Sequence, residues 1–444
     1  MKKLNSKWKI ILYGCSGMGV NMLNLIMGSY ICSALLTGGF NQEDIGVWTF
    51  GKENLVIAAV WSAIVVVAKI IDGVVDIPMA SFTDNLKTRW GKRRPAILIG
   101  MIPMILAYLG MLLPMNNTAT MFNTVMYGIF LCIFYSFYTL TMVTYYATFS
   151  EIVDNEKDRL FLSNVKSVCD IFYFILGYAL IPIFIGLRIN IRIVSLIFLP
   201  FALTMLIPLF MIKGDDNRNE KTEKVKSISL IKSLVYAFRN KTFIIWMLVY
   251  SFMTFGVQLF LGGINEFFSY HQLSMSIIMA ASFAPVPFTL ILYNYITKKK
   301  GFGFSFGYTL IIFAAGMLMM FGCKFIEDGT AKLILGLASG LVCSFGVGSL
   351  FSVAYSIPSY LASKEEKETG IAHSAMYFAV QGLFAGVFTG LATGVVLVLL
   401  KETGTIYLLT VVAALSCIIA FLLMNILPVS IKNFGKESDT DNEE

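Results

Sequence analysis

The sequence predicts an all-α integral membrane protein with twelve transmembrane helices arranged as two six-helix bundles. Three observations predict this fold class. Of the 444 residues, 57% are hydrophobic and only 14% are charged, whereas soluble domains have about 25% charged residues. Several apolar segments exceed the roughly 18 residues that a helix needs to cross hydrocarbon. The longest polar stretch, residues 213–241, has six apolar segments on each side.

The apolar segments have the lengths of spanning helices and alternate with polar loops. The first half contains segments near 10–37, 53–82, 95–115, 120–149, 167–187 and 190–212. The second half contains segments near 241–270, 273–297, 303–325, 330–360, 370–399 and 404–428. We therefore expect an N-terminal bundle (1–212), a cytoplasmic linker with an amphipathic helix over 225–238 (213–240), a C-terminal bundle (241–428) and an acidic cytoplasmic tail (429–444).

Basic residues predict the orientation of the chain. With the N-terminus inside, the inner segments hold 27 of the 34 lysines and arginines, the outer loops hold 6, and only Lys69 lies within a helix. Cytoplasmic loops of membrane proteins carry such an excess. We therefore expect both termini in the cytoplasm, in a cell membrane. The net charge of +7 then reflects contact with lipid, and we expect no nucleic-acid partner.

Several function classes are disfavoured. The seven cysteines lie singly in or beside apolar segments, which favours packing over zinc or disulfide bonds. No Walker-type motif occurs, so we expect no ATP-driven step. The sequence offers no buried nucleophile with a base and no metal cluster, so we expect neither an enzyme nor a cofactor. Two six-helix halves are typical of a secondary transporter with a solute cavity between them.

Three charged residues lie together in the second helix. Lys69, Asp72 and Asp76 are spaced by three and four residues, which places them on one helical face. Asp72 falls about 18 Å from the predicted cytoplasmic end, near the bilayer middle. Charges at this depth are costly and mark functional sites. We expect a cation site here, with a purely structural Lys69–Asp72 pair as the alternative.

The residues that follow resemble a known family. Asp72-Gly-Val-Val-Asp76-Ile-Pro78, followed by Arg89-Trp-Gly-Lys92-Arg-Arg94, is similar to the signature of the glycoside-pentoside-hexuronide:cation symporters, the melibiose permease group of the major facilitator superfamily. A second match covers 156–166. The resemblance is clear over 69–100, usable over 135–170 and faint in the C-terminal half.

This resemblance implies a cation site and a cytoplasmic gate. The cation ligands fall on Asp72, Asp76 and Thr139, with Na⁺ or H⁺ as the coupling ion, while Val75 replaces the family's asparagine ligand. Loss of that amide leaves proton coupling or a rearranged site open. The gate, which joins the cytoplasmic ends of the halves, corresponds to residues of the loop between helices 2 and 3: Asp84, Arg89, Gly91, Lys92 and Arg93.

The implied solute site matches the family less well. Asn21 and Met142 stand where the family has acids, Tyr146 replaces a stacking tryptophan, and Lys166 and Gln381 replace an arginine and a lysine. Asn21, Tyr146 and Gln381 can still bind a polyol, whereas Lys166 has an alternative partner in Asp170, one turn along. His373, which can titrate near neutral pH, completes the candidate solute site.

We expect a monomeric, cation-coupled symporter that carries a glycoside or another sugar by alternating access. The first alternative is a facilitator-type transporter of a non-sugar solute, lipid-like or peptide-like. A non-transporting membrane sensor is less favoured, because the polar segments are too short to form an additional soluble domain.

Overall fold

The computed structural model of the chain describes residues 6–37, 54–86, 88, 90–91, 93–116, 118–152, 156–187, 189–212, 238, 240–369 and 374–436. Within these residues, twelve helices are long and apolar enough to cross a membrane, and none of the residues forms a β-strand. The predicted fold class is therefore confirmed. The chain forms two compact units, Met1–Ser229 and Leu230–Glu444. The predicted amphipathic helix of the linker lies outside the described residues, apart from Phe238.

Unit 1 contains six spanning helices. They are α1 (Lys7–Leu36), α2 (Ala58–Asn85), α3 (Arg93–Met111), α4 (Met121–Ala147), α5 (156–186) and α6 (Ile191–Met211). The apolar segment of α5 was expected to begin near residue 167, but the helix already begins at Glu156. Hydropathy misses residues 156–166, about three turns of helix, because several of them are charged. As a result, Lys166 lies within α5.

Small residues allow the helices of unit 1 to approach closely. A Cβ atom at Gly19 of α1 would overlap the carbonyl oxygen of Phe201 in α6, and one at Gly100 of α3 would overlap Thr141 of α4. Helices in membranes associate by such close packing, because lipid gives no hydrophobic driving force between them. α4 also packs along α2, which brings the side chains of these two helices together.

Unit 2 contains the other six spanning helices. They are α7 (Lys241–Gly262), α8 (Met275–Lys300), α9 (Phe302–Phe325), α10 (Gly329–Thr369), α11 (374–402) and α12 (Ile406–Met424). The seventh segment was expected to continue to residue 270. Instead, α7 ends at Gly262 and a separate short helix covers Ile264–His271. Pro285 interrupts α8, because proline cannot donate the helical hydrogen bond.

In the part of the chain that the structure describes, three spanning helices contain a π-helical turn: Ile26–Ile31 in α1, Leu176–Leu180 in α5 and Leu391–Val396 in α11. The first two turns contact each other. The Tyr30 hydroxyl donates a 2.7 Å hydrogen bond to the Gly177 carbonyl, and the Ser29 and Tyr178 hydroxyls are 2.8 Å apart. Such turns free backbone carbonyls, which need partners inside a membrane.

The beginning of the predicted tail is structured. A short helix, Val429–Lys432, follows α12, and the Phe302 amide donates a hydrogen bond to the Phe434 carbonyl. This places residues 429–436 against the start of α9. The acidic residues from 437 onwards lie outside the described part of the chain.

Candidate functional site

Two members of the charged face predicted for α2, Lys69 and Asp72, lie close together. Lys69 Nζ lies 3.8 Å from Asp72 Oδ2. The Lys69 side chain is 17% exposed and that of Asp72 is 28% exposed, so both charges are largely removed from solvent. A charge in this position requires partners of opposite charge or hydrogen-bond donors. The structure provides both.

α4 supplies the other partners of this pair. Thr139 Oγ1 donates a 2.8 Å hydrogen bond to Asp72 Oδ1, so the two carboxylate oxygens have different partners. Lys69 Nζ lies 3.8 Å from the centroid of the Tyr135 ring, within the range of a cation–π contact. Tyr135 and Thr139 are four residues apart and therefore share one face of α4. We call Lys69, Asp72, Tyr135 and Thr139 the carboxylate group.

Two further positions define what the carboxylate group could bind. Asp76 lies in α2 one turn beyond Asp72, but its side chain is outside the described part of the structure. Val75 is half-buried and offers no oxygen ligand. The described side-chain oxygens of the carboxylate group include the two of Asp72 and the hydroxyl of Thr139. Hard cations require oxygen ligands, whereas a proton requires a single carboxylate.

Asn21, Tyr146 and Lys166, which the resemblance placed in the solute site, converge on one polar network. Lys166 forms an ion pair with Asp170 one turn along α5, which is the alternative pairing considered from the sequence. Asn21 Nδ2 of α1 donates a 3.3 Å hydrogen bond to Asp170 Oδ1. Lys166 Nζ lies 5.1 Å from the centroid of the Tyr146 ring. We call these four residues, together with Tyr138, the α1–α5 network.

Tyr138 connects this network to α4. Its hydroxyl donates a 3.0 Å hydrogen bond to Asn21 Oδ1. Asn21 therefore bridges the Tyr138 hydroxyl and the Asp170 carboxylate. Tyr138 precedes Thr139 directly, so adjacent faces of α4 carry the network and the carboxylate group.

Met142 of α4, which stands where the family has an acid, packs among apolar side chains. Met142 is buried, and a Cβ atom at Gly17 of α1 would lie 3.4 Å from its terminal methyl group. The methionine thus fills space beside α1 and contributes no charge. Asp170 is the buried acid of the network instead. Its spacing from Lys166 was the only sequence signal for it, and nothing in the sequence singled out Tyr138 or Tyr135.

Gln381 lies in unit 2. It is buried in α11, and its Oε1 accepts a 2.8 Å hydrogen bond from the Trp246 indole nitrogen of α7. Trp246 was not predicted as its partner. His373 lies outside the described residues. Glu266 forms a 2.8 Å ion pair with Lys401, and both side chains are buried. Glu266 lies on the short helix that follows α7 rather than on α7 itself.

The predicted cytoplasmic gate is described only in part. Gly91 has φ = 83°, a left-handed conformation that strongly favours glycine. Thr88 Oγ1 donates a 2.6 Å hydrogen bond to the Gly91 carbonyl and fixes this turn. Arg93 is buried at the start of α3. Arg89, Lys92 and the side chain of Asp84 lie outside the described part of the chain.

Comparison with known proteins agrees with this architecture. A family model described as "MFS/sugar transport protein" matches residues 12–430. A search of curated proteins finds no match. Among solved structures, the chain is similar to the nucleoside transporter NupG, with a TM-score of 0.62 and 12% sequence identity, covering 94% of this chain and 99% of that one.

Two further structures have the same fold. One is a POT family transporter in complex with a thioalcohol-conjugated peptide, with a TM-score of 0.62, 14% identity and coverage of 96% of each chain. The other is a bacterial homologue of the human lysosomal transporter Spinster, with a TM-score of 0.56, 13% identity and coverage of 98% of this chain and 100% of that one. At these identities the likeness shows the major facilitator fold alone. Since the family model covers nearly the whole length, the chain is a multi-pass membrane transporter that belongs to the MFS/sugar transport protein family, as its resemblance around Asp72 predicted.

Proposed function

We propose that the protein is a cation-coupled symporter that carries a glycoside or another sugar by alternating access. The single observation that carries the coupling is the hydrogen bond from Thr139 to Asp72, beside the Lys69 ammonium group. An ionised carboxylate in a spanning helix is costly. Its neutralisation by a cation can therefore drive a change in how α2 packs against α4.

We propose H⁺ as the first candidate for the coupling ion and Na⁺ as the second. The Lys69 ammonium group already faces one oxygen of Asp72, and Val75 supplies no oxygen ligand. A proton needs only the carboxylate, whereas Na⁺ needs several oxygens around it. Asp76, one turn further, is the acid that would complete a Na⁺ site. In either case, the cation and the solute would each raise the affinity for the other, because such coupling is reciprocal.

The α1–α5 network is our proposed sugar site. Sugar hydroxyls both donate and accept hydrogen bonds, and the network offers a carboxylate at Asp170, an ammonium group at Lys166 and an amide at Asn21. The Tyr146 ring can pack against the face of a sugar. The family description as sugar transport proteins supports this class of solute. Gln381 and His373 of unit 2 remain proposed solute-binding residues.

The second candidate solute is a zwitterion such as a short peptide. One observation favours it specifically: Lys166 and Asp170 place opposite charges side by side, with Asp170 buried and Lys166 half-buried. A solute with its own carboxylate and ammonium group could exchange partners with this pair and leave no charge unpaired. A neutral sugar would leave the pair intact. The two candidates therefore differ in what they require of the ion pair.

The positive-inside distribution of basic residues supports a cell-membrane location with both termini in the cytoplasm. We further propose that the transporter acts as a monomer, since each chain carries both the carboxylate group and the network. No second chain is needed to complete either group.

Thermal-shift screening of the purified protein identifies the solute class. The probes are a panel of disaccharides and methyl glycosides, a panel of dipeptides and a panel of lysolipids, each at pH 5.5 and 7.5 with and without Na⁺. Stabilisation by glycosides alone supports the sugar assignment, and stabilisation by dipeptides alone supports the zwitterion.

Uptake of the stabilising compound into proteoliposomes then tests coupling. An imposed pH or Na⁺ gradient should drive concentrative uptake by the wild type but not by Asp72→Asn. Glu327→Gln, which neutralises an exposed acid of unit 2, is the matched control and should transport normally. Concentrative uptake by Asp72→Asn would overturn the coupling site.

A further inference from the structure

Unit 2 contains a groove that the transport mechanism does not use. It lies between the beginning of α9 and the end of α12 and has a volume of about 450 Å³, which is within the range of about 300–1,000 Å³ typical of small-ligand sites. Its walls are formed by apolar and aromatic side chains of both helices, namely Phe304, Tyr308, Ile311, Phe421 and Met424.

Two glycines form the floor of the groove. A Cβ atom at Gly307 would lie 2.5 Å from the terminal methyl group of Met424, and one at Gly303 would lie 2.7 Å from Cβ of Lys432. α9 therefore lies directly against α12 and the short helix after it. The aromatic side chains on either side of the glycines remain exposed: Phe304 is 48% exposed and Tyr308 is 55% exposed.

One end of the groove is basic. Lys300 and Lys432 line it, and Lys298 and Lys299 directly precede Lys300. Lys432 Nζ donates a 2.6 Å hydrogen bond to the Asn425 carbonyl at the end of α12. Lys300 Nζ lies 4.3 Å from the Phe304 ring. Among the described residues that line the groove, none is acidic.

The apolar walls lie in α9 and α12, whereas Lys300 is the last residue of α8 and Lys432 is the last residue of the short helix after α12. An occupant must therefore be apolar along most of its length and anionic at one end. The predicted topology places the lysines at the cytoplasmic surface, where the anionic lipids of the inner leaflet lie. Basic pockets between spanning helices on this side recognise anionic lipid headgroups.

We propose that this groove binds one anionic glycerophospholipid of the cytoplasmic leaflet. An acyl chain lies along Phe304, Tyr308 and Ile311, and the phosphate lies between Lys300 and Lys432. Both lysines bring their hydrocarbon stems to the apolar wall and their ammonium groups to the headgroup. Bound lipid would thereby hold α9, α12 and the helix Val429–Lys432 together.

The acidic tail of the chain is the competing occupant, since it begins directly after Lys436. Residues 437–444 read Glu-Ser-Asp-Thr-Asp-Asn-Glu-Glu and contain no apolar side chain. The tail could neutralise the lysines but could not cover the aromatic wall. The apolar wall therefore favours lipid.

Native mass spectrometry tests the proposal with full-length protein in detergent, titrated with phosphatidylglycerol or phosphatidylcholine of the same acyl chains. The wild type should retain phosphatidylglycerol preferentially. Each lysine near an anionic lipid contributes about a fivefold factor in binding, so Lys300→Gln/Lys432→Gln should lower the affinity roughly 25-fold. The matched control Lys7→Gln/Lys9→Gln removes two exposed lysines of unit 1 and should retain the preference.

Lys300→Gln alone tests the proposal even if the double variant misfolds, because the single variant keeps the hydrogen bond from Lys432 to Asn425. It should lower the affinity about fivefold. Equal retention of the two lipids by the wild type, or equal losses in the groove and control variants, would overturn the proposal. A truncation after Lys436 should leave lipid binding unchanged. A large gain in lipid binding by the truncated protein would instead identify the tail as the occupant of the groove, and this result would also overturn the proposal.

Discussion

Thr139 Oγ1 donates a 2.8 Å hydrogen bond to Asp72 Oδ1 and so joins α4 to the charged face of α2. A hydrogen bond to a charged group contributes about 1.5–3 kcal/mol. Thr139→Val should therefore change the cation dependence of uptake about tenfold or more, with a maximal rate near that of the wild type.

The direction of this change identifies the ion. For Na⁺, the half-saturating concentration should rise, because a ligand is lost. For H⁺, the pH dependence of uptake should move to higher pH, because the hydroxyl stabilises the ionised carboxylate more than the protonated carboxyl group. Thr139→Ser keeps the hydroxyl and serves as the control. Cation dependence in Thr139→Val that equals that of the wild type would contradict the proposed role.

Val75→Asn restores an amide oxygen to the face of α2 near Asp72. This variant should gain Na⁺-stimulated uptake if the missing oxygen at position 75 is what disfavours Na⁺, because Na⁺ acquires another oxygen ligand. The measurement is uptake at fixed pH over a range of Na⁺ concentrations. Val75→Leu keeps the position apolar and should behave as the wild type. An unchanged cation preference in Val75→Asn would count against this explanation.

A double-mutant cycle tests how the ion pair between Lys166 and Asp170 contributes to stability. Asp170 is only 7% exposed, and removing one partner of a buried pair costs about 3–5 kcal/mol because the other charge stays buried. Lys166→Gln and Asp170→Asn should each lower Tm, and the double variant should recover most of the loss.

Uptake by the double variant separates a structural pair from a solute site. If the pair binds solute, the double variant should recover Tm but still have a raised KM. Recovery of both Tm and KM would show that the pair only supports packing and would remove Lys166 from the solute site.

His271 makes stability depend on pH. It lies on the short helix after α7, outside the spanning segments, where burial and then the charges of Lys332 and Lys324 lower its pKa to about 4. An unfolded histidine has a pKa of about 6.5, so the unfolded state binds more protons between these values. Stability that is present above pH 6.5 is therefore lost as the pH falls toward 4.

Thermal unfolding of the wild type should consequently show a Tm that falls by several degrees between pH 7 and pH 4.5. His271→Gln removes the titrating group and should reduce this fall. Lys332→Gln removes one of the two charges that lower the pKa and should have a smaller effect in the same direction. Identical pH profiles for the wild type and His271→Gln would show that other groups cause the loss.

The spanning helices were predictable because long apolar segments have only one stable arrangement in a bilayer. The ends of the helices were less predictable where charged residues or glycines determine them. Glu156 begins α5 inside a charged stretch that hydropathy assigns to a loop, and Gly263 divides a segment that is apolar on both sides. The proximity of Asp72 and Thr139 could be expected because both residues match cation-site positions of the family that the sequence resembles.

The α1–α5 network could be predicted only in part. Asn21, Tyr146 and Lys166 were found as counterparts of family positions, but Asp170 and Tyr138 have no counterpart in the signature. Their roles depend on how α1, α4 and α5 face one another. Sequence spacing along one helix relates Lys166 to Asp170, whereas it says nothing about the hydrogen bond from Tyr138 to Asn21.

The π-helical turns of α1 and α5 have a consequence for helix phase. Each wide turn holds an additional residue, which at 3.6 residues per turn rotates everything beyond it by about 100°. The face of α1 that carries Asn21 is therefore not continued after Ile31. Deletion of one residue within Ile26–Ile31 would restore a regular helix but turn its C-terminal end away from α5. The α1–α5 network therefore aligns only the halves of α1 and α5 that precede the turns, whereas the bond from Tyr30 to Gly177 joins the two turns themselves.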